Sequence, residues 1–171
     1  MMPGDHEVNS YRFLDGVASR MIGNWISLEK RRDIPWTPLN KPLNQSTVAL
    51  ISSAGLALAT DQPFDQEVER ANPWISDPSF RVIPRETTAQ DIRVYHLHIN
   101  PEFIQQDINC ALPVQRLAEL EASGEIGRAA PSHYSYIGYT CQPQRLLDES
   151  VPAIIGKLRE EAVDVVVLVP A

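Results

Sequence analysis

The stretch DVVVLVPA, residues 164–171, holds five consecutive branched apolar residues and is the strongest indicator of the fold. A second apolar and β-branched run, STVALISS, occupies residues 46–53. Runs that are apolar at successive positions are typical of strands buried on both faces of a parallel sheet. We therefore predict a fully buried last strand over 165–169 and a buried first strand that opens at Ser46. Small residues from Ser52 to Gly55 predict a tight turn after the first strand.

Strand and helix patterns alternate along the rest of the chain. The order strand, helix, strand, helix, strand predicts an α/β fold with a Rossmann-like or flavodoxin-like parallel sheet and flanking helices. We place this domain at residues 46–171, behind an N-terminal helix and proline-rich extension at residues 1–45. The predicted elements are a helix at 8–30, an extended proline-rich segment at 34–43, a long loop at 60–90 with a short strand at 80–83, a second main strand at 92–100, a helix from Pro113 to Gly124, a third strand or site loop at 130–140, and a helix at 143–161 capped by Ser150.

Composition excludes several classes of function. The chain of 171 residues has a formal net charge of −7, which argues against a nucleic-acid or anionic-membrane surface, since both require a basic stripe. No apolar run approaches the ~20 residues that span a bilayer, and the polar start does not resemble a signal peptide. We therefore expect a cytoplasmic protein. Cys110 and Cys141 have no CxxC spacing, and we predict that both are buried, inert thiols.

The HxH pattern of His96 and His98 is the first candidate site. Alternation along a strand would place both imidazoles on one face, where they could chelate a metal ion. A third ligand could come from His133, Asp107 or Glu102. The alternative is that one histidine is hydrogen-bonded and the other solvated. Because HxH is short and weakly specific, we do not favour a metal site.

A second group of candidates combines hydroxyls, imidazoles and small residues. Hydroxyl groups packed around an imidazole can position and protonate a substrate, and Gly127 and Gly138 would let backbone approach a ligand closely. The backbone N–H groups of the turn after the first strand could bind an anion, although a structural turn is the simpler interpretation. No carboxylate is evident to complete a Ser-His triad. The substrate-pocket candidates are Ser52, Ser53, His96, His98, His133, Tyr134 and Tyr136.

Three blocks of sequence together carry a family resemblance. They are WTPLNKPLNQSTVALISSAGLAL (36–58), LPVQRLAELEASGEIGRAAPSHYSYIGY (112–139) and SVPAIIGKLREEAVDVVVLVP (150–170). In order and spacing they resemble the selenoprotein B family of the glycine, sarcosine, betaine and D-proline reductases, in particular its compact D-proline-reductase-like branch. The resemblance covers roughly residues 35–170.

The resemblance implies a chemistry. In these reductases a selenocysteine or cysteine attacks an amine-bearing carbon and breaks a C–N bond, and a carbonyl, commonly a pyruvoyl group on a partner subunit, activates the amine. The resemblance also implies that the nucleophile directly follows the strand at 165–170, after Ala171, so no nucleophile is assigned to Cys110 or Cys141. We therefore expect that this chain is a truncated form that ends before its selenocysteine or cysteine. One origin of such a truncation would be a UGA codon for selenocysteine that is read as a stop codon.

Three functions follow as hypotheses. The first is a reductase-type subunit that cleaves a C–N bond in a small amino acid or amine, with a pyruvoyl-bearing catalytic partner. The second is a binding or assembly module of the same fold without its own chemistry. The third and weaker one is a metal-dependent enzyme that uses His96 and His98. An exposed edge on the last strand would also invite pairing with another chain, so we expect a homo-oligomer.

Overall fold

The structure is a computed structural model that describes residues 15–28, 37–72 and 74–171. The chain divides into two units, with the boundary between Pro38 and Leu39. In the first unit, helix α1 spans Gly16–Leu28, and the Asp15 carboxylate accepts hydrogen bonds from the backbone N–H groups of Val17 and Ala18 at 2.9 and 2.8 Å. The predicted helix is confirmed over this range, with Asp15 just before its first residue, while residues 8–14 and 29–30 of the prediction and residues 34–36 of the proline-rich segment lie outside the described residues.

The second unit contains seven strands and four α-helices within its described residues. The strands are β1 (Thr47–Ser52), β2 (Leu56–Leu58), β3 (Phe80–Pro84), β4 (Ile92–Val94), β5 (Arg128–Ala129), β6 (Ser132–Tyr136) and β7 (Val165–Val169). The helices are α2 (Gln66–Ala71), α3 (Pro101–Gln106), α4 (Val114–Ala122) and α5 (Val151–Glu160), and a π-helical segment, Leu146–Ser150, leads into α5.

Strand β1 lies at the centre of a five-stranded sheet. Along one side it pairs in parallel with β5 and then with β6, and along the other side it pairs in parallel with β7 over five residues. Strand β3 is antiparallel to β6 and forms an outer strand. The α/β fold with a parallel-rich sheet and flanking helices is thus confirmed. A separate antiparallel pair joins β2 to β4.

The core lies on both faces of the sheet because successive residues of β1 point in opposite directions. Val48 and Leu50 belong to a cluster that includes Val114 and Leu117 of α4. Ala49 belongs to a second cluster with Ile154 and Leu158 of α5 and Tyr134 of β6, and Ile51 packs against it. The prediction of a first strand that is apolar and buried on both faces is therefore confirmed.

Helices α4 and α5 were both predicted from the sequence, and most of their ends lie close to the residues predicted to mark them. Helix α4 begins just after Pro113, and the chain leaves it through Gly124 with a positive φ of 75°, which glycine adopts without strain. The prediction that Ser150 caps the last helix is wrong. Ser150 has helical backbone angles, and its hydroxyl donates to the carbonyl of Pro78 at 2.6 Å instead.

Three further predictions are corrected by the structure. The predicted strand at 92–100 is limited to β4, which pairs with β2 outside the main sheet, because the chain turns after Val94. The predicted loop at 60–90 contains helix α2, capped by the Asp65 carboxylate. Strand β7 is present but is not fully buried: Leu168 is 71% exposed, and Val166 and Val167 are also exposed. Within the described residues, β7 pairs with β1 alone.

Candidate functional site

A cleft opens where the carboxyl ends of β1, β6 and β7 meet. In open parallel sheets the crevice beyond the carboxyl ends of the strands is the usual position for ligands. The volume of this cleft is about 510 Å³. Its lining residues are Ser53, His96, His98, Ile99, Tyr136, Gly138, Tyr139, Pro170 and Ala171. Four of the predicted pocket residues, from three separate parts of the chain, therefore meet here.

The turn after β1 forms one wall of the cleft, and its backbone N–H groups are already engaged. Ser53 N–H donates to the carbonyl of Val169 at 3.1 Å, Ala54 N–H to the Ser52 hydroxyl at 3.2 Å, and Gly55 N–H to the carbonyl of Tyr136 at 2.8 Å. These donors are not available to an anion, so the turn is structural, as its simpler interpretation held. The Ser53 hydroxyl accepts from the N–H of Ala171 at 2.9 Å, which ties the segment after β7 to this wall.

Two glycines allow the walls of the cleft to approach each other. A Cβ on Gly138 would lie 2.5 Å from the Cβ of Ser53, and one on Gly55, whose φ is +64°, would lie 3.1 Å from the backbone N of His96. Real Cβ atoms essentially never come as close to another atom as 2.5 Å, and a contact at 3.1 Å is tighter than most real Cβ contacts. The prediction that Gly138 makes room for a ligand is therefore replaced by a finding: its missing side chain makes room for Ser53.

His96 and His98 lie together at the cleft, although on a turn and not on a strand. Their ring centroids are 5.8 Å apart, and the backbone N–H of His98 donates to His96 Nδ1 at 3.2 Å. We infer from this hydrogen bond that neutral His96 carries its proton on Nε2. Burial lowers the pKa of His96 below its ordinary value; nearby His98 acts in the same direction and Glu69 opposes it. His96 thus favours its neutral form.

Glu69 and Tyr139 also lie next to His98, and neither residue was predicted from the sequence to belong to the site. Glu69 lies on α2 and is 2% exposed, and its Oε1 lies 2.8 Å from His98 Nε2. The ring of Tyr139 packs against that of His98, with centroids 4.3 Å apart. Tyr139 could have been predicted, since it follows the Tyr-rich segment of the sequence. Glu69 could not, because a short helix with two apolar residues gives no sign that its glutamate is buried.

The HxH pair does not belong to a metal centre in the part of the chain that the structure describes. Those residues contain no group of three or more His, Cys, Asp or Glu side chains placed to hold a metal ion. Of the predicted third ligands, His133 is buried in the sheet, and Asp107 caps a 3-10 turn by accepting from the backbone N–H of Asn109. The metal-dependent alternative therefore has no support from this geometry.

His133 lies in the sheet, away from the cleft. Its Nδ1 accepts a hydrogen bond from the backbone N–H of Leu50 at 3.2 Å. This N–H lies on β1 opposite the break between β5 and β6, where Pro131 interrupts the strand. Burial, together with the charge of Arg85, lowers the pKa of His133 to about 4. The neutral imidazole therefore serves as the acceptor for the N–H of Leu50 at a point in the sheet where the neighbouring strand is interrupted.

Ser52 and Tyr134 are also buried outside the cleft. The Ser52 hydroxyl is used within the turn, as described above. Tyr134 packs against Phe80 at a centroid distance of 6.2 Å and belongs to the core beneath α5. Burial, with Glu161 and Glu160 nearby, raises the pKa of Tyr134 to about 12, so the phenol stays protonated. Its hydroxyl has no hydrogen-bond partner among the described residues.

The prediction of buried thiols is wrong, because Cys110 and Cys141 are both exposed. Cys110 ends the 3-10 turn that precedes α4, and Cys141 lies in the loop after β6, where its N–H donates to the carbonyl of Trp74 at 2.9 Å. Neither residue lines the cleft. Cys110 is exposed although its neighbours Ile108, Ala111 and Leu112 are buried, so an apolar neighbourhood in the sequence does not decide the burial of one side chain.

No helix in the described ranges combines the length and the apolar character that crossing a membrane requires.

A second cleft, of about 370 Å³, lies elsewhere in the fold. It contains none of the predicted site residues. Its lining residues are Leu58, Ala59, Thr60, Pro84, Glu86, Thr87, Gln90 and Asp91.

The family model and the relatives that match this chain all belong to glycine and D-proline reductases. Residues 21–171 match the family model described as glycine/sarcosine/betaine reductase selenoprotein B. The chain is 33% identical over 133 residues to the D-proline reductase subunit gamma of Acetoanaerobium sticklandii, which covers 78% of this chain and 52% of that protein. It is 27% identical over 135 residues to the glycine reductase complex component B subunit gamma of Carboxydothermus hydrogenoformans, covering 79% of this chain and 30% of that protein. The chain thus spans about half the length of the first relative and less of the second. No solved structure matches.

Proposed function

The chain belongs to the glycine/sarcosine/betaine reductase selenoprotein B family, and on that premise we propose that it acts in a reductase complex that cleaves a C–N bond in a small amino acid or amine. The two relatives are named as subunits of D-proline and glycine reductases. The cleft at the carboxyl ends of β1, β6 and β7 is the proposed substrate site.

One observation carries this proposal. The segment that follows β7, Pro170 and Ala171, lines the same cleft as His96, His98 and Tyr136. From the family resemblance, we propose that the selenocysteine or cysteine nucleophile directly follows this segment. A nucleophile in that position starts at the wall of a cleft that already holds two imidazoles and two phenols. These are groups that can bind and protonate an amine.

The proposed division of labour follows from the chemistry. A selenolate or thiolate is the nucleophile, and an electron-withdrawing carbonyl on a partner subunit, such as a pyruvoyl group, makes the amine a better leaving group. The described residues of this chain shape the site: His96, held neutral, donates from Nε2, and Tyr136 and Tyr139 supply aromatic surface. Cationic amines bind well to such surface.

The test is turnover in the assembled complex. The natural gene product that contains this chain is combined with its pyruvoyl-type partner subunit and a dithiol reductant, and loss of glycine, sarcosine, betaine or D-proline is followed. We expect His96→Gln, or Tyr136→Leu, which removes the aromatic surface, to lower kcat/KM at least tenfold. Arg116→Gln, a change on the exposed face of α4, serves as the control and should leave the rate unchanged. Equal rates for all variants would refute the placement of the site.

A binding or assembly role without chemistry is the second candidate. It is favoured by the position of both cysteines outside the cleft. Under this role, a complex that contains this chain turns over its substrate at an unchanged rate after the cleft variants, but the variants alter assembly. Size-exclusion chromatography of the complex with each variant separates the two candidates.

We also propose that strand β7 pairs with a second copy of the chain. Its outer edge presents backbone N–H and C=O groups, and Val166, Val167 and Leu168 are exposed beside it. Exposed apolar edges of this kind pair readily with other strands. Light scattering of the purified chain should show a dimer or larger species, and a monomer at all concentrations would refute the proposal.

A further inference from the structure

Glu69 is a buried carboxylate whose surroundings in the fold do not satisfy it. Its side chain is 2% exposed, and neither carboxylate oxygen has an aligned hydrogen-bond donor among the described residues. Burying an unpaired carboxylate costs several kcal/mol. The contact that offsets this cost is the one between Oε1 and His98 Nε2, at 2.8 Å. His98, whose side chain is 48% exposed, connects the buried carboxylate to the cleft.

His98 is held on two further sides. Its backbone N–H donates to His96 Nδ1, and its ring packs on Tyr139. With Nε2 beside Glu69, Nδ1 is the ring nitrogen left for another partner, and it makes no hydrogen bond to the described residues. A carboxylate on one imidazole nitrogen fixes the ring so that the other nitrogen can exchange a proton with a substrate.

We propose that Glu69 and His98 form a carboxylate–imidazole dyad in which Glu69 is a positioning residue and His98 protonates the leaving nitrogen. This inference rests on the proposed function. In the step concerned, a selenolate or thiolate forms a bond to the amine-bearing carbon as the C–N bond breaks. The electron pair of the C–N bond stays on the nitrogen, which takes the proton from His98 Nδ1, and His98 becomes neutral.

The chain offers a matched control on the same helix. Glu67 lies two residues before Glu69 on α2, but its side chain is 86% exposed and pairs with Arg70. Glu69→Gln and Glu67→Gln therefore remove the same charge from one helix, and the first change alone reaches His98. Thermal unfolding of each variant shows whether the protein is folded before any other comparison is made.

The first measurement needs no activity. Nuclear Overhauser effects between the ring protons of His98 and Tyr139 report the orientation of the imidazole, because the rings are in contact. We expect these effects in the natural chain and in Glu67→Leu, and their weakening in folded Glu69→Leu, which has no acceptor for His98 Nε2. Unchanged effects in Glu69→Leu would overturn the positioning role.

The second measurement is a double-mutant comparison in the assembled complex. General acid catalysis contributes about 10²-fold or more, so His98→Gln should lower kcat by at least this factor. We expect Glu69→Gln to lower kcat about tenfold with KM unchanged within a factor of two, and the double variant to be no slower than His98→Gln alone. Independent, multiplying effects would overturn the dyad. If the natural complex shows no C–N cleavage, the proposed function and the proton transfer both fail, while the ring contacts still decide the positioning role.

Discussion

Replacing His133 by asparagine should remove a large part of the acid sensitivity of this protein. The Asn Oδ1 can take the place of His133 Nδ1 as acceptor for the Leu50 N–H, but asparagine cannot be protonated. In the folded protein the pKa of His133 is lowered to about 4, against an ordinary value of 6.5 in the unfolded chain. The unfolded chain therefore binds more protons between these two pH values.

The sign and size of the effect follow from this difference. The stability that neutral His133 contributes is fully present above pH 6.5 and is lost progressively as the pH falls toward 4. The full loss is roughly 3 kcal/mol, and about 2 kcal/mol of it has occurred at pH 5. Because His133 is fully buried, solvent does not reduce this effect. Asparagine leaves part of the imidazole volume empty, which costs about 1–3 kcal/mol at any pH.

Urea unfolding at pH 7.5 and pH 5.0, followed by far-ultraviolet circular dichroism, measures the comparison. Other titrating groups are shared by the two proteins, so the difference between their pH dependences isolates His133. We expect the natural chain to lose about 2 kcal/mol more than His133→Asn between these pH values. The same loss in both proteins would show that the imidazole is not buried as a neutral acceptor, and would refute the structural role given to it.

Other expected outcomes concern the cleft, the thiols and the sheet edge. Gly138→Ala should lower the unfolding midpoint by several degrees, because the new methyl group meets Ser53 at 2.5 Å; an unchanged midpoint in a thermal melt would contradict the close approach. Both Cys110 and Cys141 should react with a thiol reagent in the native protein, since both are exposed; titration of fewer than two thiols would contradict their placement. Leu168→Lys should convert the expected oligomer to a monomer in light scattering without unfolding it, because the side chain is 71% exposed; a persistent oligomer would place the interface elsewhere.

Elements with an apolar run or a distinct end signal could be predicted from the sequence. Strands β1 and β7 come from the runs that decide the fold, and β3 falls within one residue of its predicted range. Helix α4 lies between Pro113 and Gly124, whose conformational preferences mark its ends. In each case the signal is local, so no knowledge of distant contacts is needed.

The burial of β7 and the course of the chain after β4 could not be predicted in the same way. An apolar run shows that a strand can be buried on both faces, but not which part of the fold covers it. Alternation over 92–100 fitted a strand, yet the chain leaves β4 after Val94 and the N–H of Tyr95 donates to the carbonyl of Gly55. That partner is forty residues away in the sequence, and no local pattern predicts it.

The residues of the candidate site also divide into some that could be predicted from the sequence and others that could not. Ser53, His96, His98 and Tyr136 were found by residue type and by their position near strand ends, whereas His133 and Tyr134 fitted the same criteria and are buried in the sheet. Glu69 was missed because its helix contains only two apolar residues, Val68 and Ala71, and shows no periodicity. Its burial results from tertiary contacts.

The central claim is that small amino acids or amines bind in the cleft at the carboxyl ends of β1, β6 and β7. The most direct test is titration of the ¹⁵N-labelled chain with glycine, sarcosine, betaine and D-proline, observed by amide chemical shifts. We predict saturable shifts at Ser53, His98, Gly138 and Ala171, whose residues line the cleft. Saturable shifts confined to the second cleft, around Thr60 and Thr87, would contradict the account.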